Sequence, residues 1–171
     1  MQVVWRKNPK NSNEGIMMES KDLTQFFNEN LFIPDLKAQS KEAVFDEFSS
    51  LFVENKVIRN KEIVLEMLTK RETLGSTGIG DEVAVPHGRT TAAIKMQIAF
   101  GRSDKGIEFN AIDKKPIKLF FVVIAPPHDE NNRYLPVLGK LVEMLHENKN
   151  REKLKNVNTF EEFAEILDGE S

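Results

Sequence analysis

Lys118-Leu119-Phe120-Phe121-Val122-Val123-Ile124-Ala125 is an unbroken apolar run after its first residue, rich in Val, Ile and Phe, and Pro126-Pro127 stops it. The run is far too short to cross a bilayer and reads as a central β-strand buried on both faces. Upstream, Ile94, Met96, Ile98 and Phe100 alternate with other residues, which predicts another strand with one buried face.

Outside this strand-rich middle the apolar period becomes helical. Lys21–Asn28 sets Leu23, Phe26 and Phe27 on one face, with Ser20 as candidate cap. Ser40 precedes Ala43, Val44, Phe48, Leu51 and Phe52 at helical spacing. Lys61–Lys70 repeats the pattern with Ile63, Val64, Met67 and Leu68, and the cations Lys70 and Arg71 complement a helix dipole at its end. Downstream, Leu135, Leu138, Leu141, Val142 and Leu145 form another helical set. Thr159-Phe160-Glu161-Glu162 has capping-box spacing ahead of Phe163, Ile166 and Leu167. Helices on both sides of the strands predict an α/β sandwich around one sheet, without repeat or dividing linker. That single domain is expected over residues 19–171. Residues 1–18 show no sustained period and read as an extension, with Val3, Val4 and Trp5 as its docking candidates.

Composition narrows the chemistry. Hydrophobic residues make up 40% of the 171 and charged residues 30%, a balance that supports a true core in a globular domain. The net charge of −3, with cations interspersed among carboxylates, supplies no electrostatic footprint for nucleic acid. There is no cysteine, which removes disulfides, thiolate metal sites and thiol nucleophiles and fits a reducing cytoplasm. Met1–Met18 lacks an apolar signal-peptide core, and no run reaches membrane length, so neither secretion nor membrane insertion is expected.

The densest segment is Arg71-Glu72-Thr73-Leu74-Gly75-Ser76-Thr77-Gly78-Ile79-Gly80, followed after Asp81-Glu82 by Val83-Ala84-Val85-Pro86-His87-Gly88. Its glycines let backbone amides approach a ligand, and Ser76 and Thr77 add hydroxyl donors, a loop suited to anionic oxygens. Pro86 stiffens the backbone before His87, and Gly88 leaves one side of the ring uncrowded. Neutral imidazole, with a reference pKa of about 6.5, is a nucleophile near pH 7 and also a good phosphoryl leaving group. Arg71 offers a guanidinium fork matched to phosphate oxygens. Each piece has a plainer reading: a histidine packing at a sheet end, an arginine at a helix terminus, a glycine loop. The segment lacks the P-loop Gly-Lys-Ser/Thr and the third glycine of a dinucleotide fingerprint, and His146-Glu147 is not a zinc motif. No cofactor and no metal is expected.

The pattern from Arg71 to Gly80, with Val83-Ala84-Val85-Pro86-His87-Gly88, resembles the signature of enzyme IIA domains of the bacterial sugar phosphotransferase system, fructose–mannitol type, which includes the nitrogen-regulatory branch. The resemblance spans roughly residues 19–168. It implies a mixed sheet flanked by helices, His87 as phosphoacceptor, Arg71 as the residue that stabilises the phosphoryl group, and a weaker part for Thr77. It also implies separate partner chains: a histidine-containing phosphocarrier protein as donor, and an enzyme IIB cysteine or a regulated protein downstream. Many members carry a second histidine where this chain has Tyr134, in Tyr134-Leu135-Pro136-Val137-Leu138-Gly139. Tyrosine supplies a neutral O–H where histidine supplies a titratable cation, and His128 is the other candidate replacement. The expected function is a free-standing phosphorylatable regulator of nitrogen-regulatory type. The alternatives are a sugar-uptake enzyme IIA and a protein-binding module that takes no phosphate.

Overall fold

The computed structural model describes residues 18–129 and 131–169; the expected extension lies outside them except for Met18, which joins the core. Six strands form one mixed sheet: β1 (Phe32–Ile33), β2 (Gly78–Gly80), β3 (Val83–Ala84), β4 (His87–Arg89), β5 (Gln97–Ile107) and β6 (Ile117–Ala125). Their order is β1-β5-β6-β3-β2, with β4 also on β6. The helices are α1 (Lys41–Glu54), α2 (Lys61–Thr73), α3 (Tyr134–His146), α4 (Asn148–Leu154) and α5 (Phe160–Asp168).

The central strand is the apolar run, and the period of two explains why both of its faces are buried. Leu119, Phe121, Val123 and Ala125 face one layer, with residues of α3, α5 and the leading 3-10 helix Ser20–Phe26. Phe120, Val122 and Ile124 face the other, with residues of α1 and α2. β5 pairs antiparallel along one edge of β6. Along the opposite edge the chain runs parallel in an unbroken register, Val83 opposite Leu119 and His87 opposite Val123. Pro86 lacks an N–H, yet its carbonyl accepts from the Val123 amide at 2.9 Å, so the ladder continues through it.

Local signals place the helices. Ser40 accepts from the Ala43 amide at the start of α1, and Asn60 accepts from the Glu62 amide at the start of α2. Thr159 caps α5 through the Glu162 amide, and Gly169 ends it in the left-handed region at φ 77°. The leading helix is 3-10 rather than α, and its N-cap is Glu19, whose amide is taken by Asp22, rather than Ser20.

β5 differs from its expected form. Ile94 is 91% exposed in the loop before the strand, and both faces of Gln97–Gly101 are buried. The second face goes unread in the alternation because it consists of Gln97, Ala99 and Gly101, none of them a large apolar side chain. Gly101 is small because α1 presses there: a Cβ would lie 2.6 Å from Phe48 Cζ and 3.0 Å from the Leu36 methyls. The short helix α4 carries almost no apolar pattern and escapes a periodicity reading. It is held by Leu154, fully buried, and by Arg151, which donates to the last carbonyls of α3, Leu145 O at 2.8 Å and His146 O at 2.7 Å.

The contact at Gly101 predicts that Gly101→Ala destabilises the domain by about 1–3 kcal/mol, the usual cost of overpacking a filled core. Urea unfolding should show a lower midpoint at an unchanged slope. An unchanged midpoint would mean that Phe48 and Leu36 yield without cost.

Candidate functional site

His87 stands at the start of β4, beside the carboxyl end of the parallel strand β6, the end of an α/β sheet where ligands collect. Its Nδ1 lies 2.7 Å from the Val85 carbonyl oxygen. A carbonyl only accepts, so Nδ1 carries the proton and the lone pair is on Nε2. Arg71, in the last turn of α2, points its Nε at that lone pair from 3.4 Å and donates Nη1 to Gly75 O at 3.0 Å. Burial holds the His87 pKa below its ordinary value; the Val85 carbonyl opposes this, the Arg71 charge adds to it and Glu72 opposes it. The ring is therefore a neutral base with an outward lone pair beside a fixed cation.

The depth of α2 against β4 sets this geometry. A Cβ on Gly88 would fall 2.6 Å from Met67 Cγ and 2.7 Å from its Sδ. Gly88 thus lets α2 close on the strand and bring Arg71 to His87; its role is helix packing, not the uncrowding of the imidazole.

The glycine-rich loop departs from the expected anion cradle. Ser76 Oγ donates to Phe109 O at 3.0 Å and accepts from the Gly78 amide at 3.1 Å. Thr77, 3% exposed, donates its hydroxyl to Glu72 Oε2 at 2.6 Å. Both hydroxyls are spent inward because the loop is pressed onto the sheet, with Gly78 so close to Ala111 that a Cβ would meet it at 2.8 Å. Thr77 does not line the cleft around His87; it grips Glu72, the neighbour of Arg71. Glu72 also accepts from the Thr77 amide at 3.2 Å and pairs with Lys41 of α1 at 2.8 Å, an ion pair with only 17% and 7% of the two side chains exposed. One carboxylate therefore ties α1, the end of α2 and the loop together.

Tyr134 opens α3, is buried, and sets its ring 6.4 Å from that of His87 at an angle of 55°. Burial pushes its phenol pKa up, which keeps it a neutral O–H. His128 is exposed and outside the cleft, and His146 is exposed at the far end of α3, so neither meets His87. The cleft around His87 has a volume of about 570 Å³, and at its rim Leu74 is 83% and Leu135 69% exposed. A larger groove of about 1260 Å³ lies between α1, α2 and the segment after β1, but no histidine lines it, and the cleft around His87 is the candidate site.

Residues 25–169 match the model of the family described as phosphoenolpyruvate-dependent sugar phosphotransferase system, EIIA 2. The chain belongs to this EIIA family. An EIIA domain is a phosphotransfer component. The fructose-specific EIIABC component of Bacillus subtilis is 28% identical over 145 residues, 85% of this chain but only 23% of that relative. A nitrogen regulatory protein of Bradyrhizobium diazoefficiens is 32% identical over 123 residues, 72% of this chain and 79% of the relative. The crystal structure of nitrogen regulatory protein IIA-Ntr from Neisseria meningitidis superposes with a TM-score of 0.78 at 34% identity, covering 84% of this chain and 97% of that one. Among the described residues of this EIIA chain no helix is long and apolar enough to cross a membrane.

Two residues, one behind the EIIA cleft and one in it, carried no expectation. Glu72 was legible only as part of the motif, since its partners Lys41 and Thr77 come from other elements. Arg89 lines the cleft with its guanidinium carbon 4.8 Å from the Tyr134 ring centre. The alternation of a strand is a signal that places it beside His87, two residues earlier.

Two measurements test this geometry. In an NMR titration the His87 ring should protonate below about pH 6.5, the ordinary value of a free histidine. The folded-state value lies under the unfolded one, so the stability linked to His87 is present above about pH 6.5 and is lost as pH falls below it. A His87 midpoint at or above that of a free histidine peptide would contradict the buried neutral form. Thr77→Val should cost about 1.5–3 kcal/mol in thermal unfolding, the worth of a hydrogen bond to a charged group, and Thr77→Ser should recover it. Equal stabilities of all three proteins would show that the Glu72 tie contributes nothing.

Proposed function

We propose that the chain is a phosphoryl carrier whose acceptor atom is Nε2 of His87, charged by a histidine-containing phosphocarrier protein. The observation that carries this reading is the 2.7 Å contact of Nδ1 with Val85 O, which puts the proton on Nδ1 and leaves the Nε2 lone pair facing Arg71. The lone pair attacks the phosphorus of a donor phosphohistidine. An N–P bond forms to His87 as the donor's N–P bond breaks, and the donor imidazole leaves with its electron pair. The Nδ1 proton stays in place, and the Val85 carbonyl accepts more strongly as positive charge develops on the ring. Arg71 meets the equatorial oxygens, where charge concentrates during in-line transfer. Thr77 acts behind it through Glu72, and Tyr134 offers a neutral O–H from the other wall. The apolar rim of Leu74 and Leu135 suits a protein donor, whose docking buries such side chains.

The reading extends to a regulator of nitrogen-regulatory type, whose phosphorylation state decides which protein it binds. Its support is the likeness to IIA-Ntr at 34% identity over most of both chains. The second reading, transfer onward to an enzyme IIB cysteine for sugar uptake, is favoured by the fructose-specific relative. Both readings place the protein in the cytoplasm, where the phosphoryl donor is made.

Incubation with phosphoenolpyruvate, enzyme I and the phosphocarrier should give an acid-labile, base-stable adduct that His87→Ala abolishes. Uptake by His87→Ala at the wild-type rate would refute the carrier reading. Loss of the label to a purified fructose-type enzyme IIB would favour transport over regulation.

A further inference from the structure

We propose that Arg89 is the second cation of the site, leaving the face of Tyr134 to hold the phosphoryl group on His87. This inference rests on the reading of His87 as acceptor. A phosphoryl group on His87 is close to dianionic near neutral pH, and Arg71 supplies one positive charge with part of its fork already given to Gly75 O at 3.0 Å. A second cation has to come from the cleft wall. Lys70 also lines the cleft, but its ammonium is already paired with Glu66 at 2.9 Å. Among the described residues Arg89 makes no ion pair, so its charge is uncompensated where it lies.

Strand geometry gives it the reach. His87 and Arg89 are the first and third residues of β4, so their side chains leave the same face, with Cα atoms about 6.6 Å apart at the usual rise per residue. Gly88 faces the other way, against Met67 of α2, which locks the strand's orientation. The Arg89 guanidinium rests 4.8 Å from the centre of the Tyr134 ring, and the same ring lies 6.4 Å from the His87 ring. Arg89 is exposed, and a stack of that kind is weak enough to be exchanged for a bidentate contact with phosphoryl oxygens. Tyr134 then serves as the resting place of a cation, which gives its aromatic ring a use that a neutral O–H alone does not. Arg89 acts on the phosphoryl oxygens directly and leaves the unphosphorylated His87 ring to Arg71.

The test measures the phosphorylated fraction at equilibrium with the phosphocarrier, and the 31P titration of phospho-His87, in wild type, Arg89→Gln and Arg89→Lys. Arg89→Gln should lower the equilibrium constant for phosphorylation about tenfold and raise the pKa of the phosphoryl group, because a cation favours its dianion. Arg89→Lys should recover most of both, and Arg59→Gln, an exposed cation in the α1–α2 loop, should change neither. Melting temperatures should stay level, since Arg89 is exposed. A wild type that takes up no phosphate overturns the His87 reading and this one with it. Phosphorylation and 31P titration of Arg89→Gln indistinguishable from wild type overturn this one alone.

Discussion

β6 is apolar on both faces, and a strand so placed must satisfy its N–H and C=O groups along both edges without water. One edge is closed by β5 over most of its length. The other is closed by the chain from Val83 to Arg89, which stays in one register across a proline. The unbroken register puts His87 opposite Val123, and the geometry of the cleft follows from it. A shift of one residue would turn the imidazole toward α2 and Gly88 toward α3, and the helix would lose its close approach at Met67.

That approach links packing to electrostatics. α2 reaches β4 only because residue 88 has no side chain, and its last turn then delivers Arg71 to the lone pair of His87. Glu72, the next residue, faces the opposite way into a buried pair with Lys41 and a hydrogen bond from Thr77. The helix end is thereby held from behind while its guanidinium faces the cleft. The buried pair is strongest as a positional device, because breaking one side would leave a charge without a partner in a low-dielectric layer.

Among the described residues no carboxylate lies at hydrogen-bond distance from the histidine that is kept neutral. A backbone carbonyl holds Nδ1, and burial together with Arg71 outweighs the pull of that carbonyl and of Glu72 toward protonation. A carboxylate in the carbonyl's place would favour the imidazolium and remove the nucleophile. The same surroundings would suit an anion attached to the ring, since the Arg71 guanidinium already stands at Nε2.

The sequence by itself determined the layers and the motif. The doubly apolar run at 118–125 and the helical periods on both sides specify a sheet between helices, and the caps Ser40 and Thr159 lie where local chemistry puts them. Arg71 and His87 stand together in the quoted signature as they do in space. What the tertiary structure decided depends on contacts between distant segments, which no local period encodes. The second buried face of β5 carries Gln97, Ala99 and Gly101, with Phe48 filling the space over Gly101, and such residues leave no apolar trace. Ser76 and Thr77 look like ligand donors in a glycine-rich loop, but Phe109 and Glu72 claim their hydroxyls. Tyr134 reaches His87 because α3 packs across the sheet, and Arg89 finds its aromatic face only there. Residue identity fixes what a group can donate or accept, and only the packed chain decides which partner takes it.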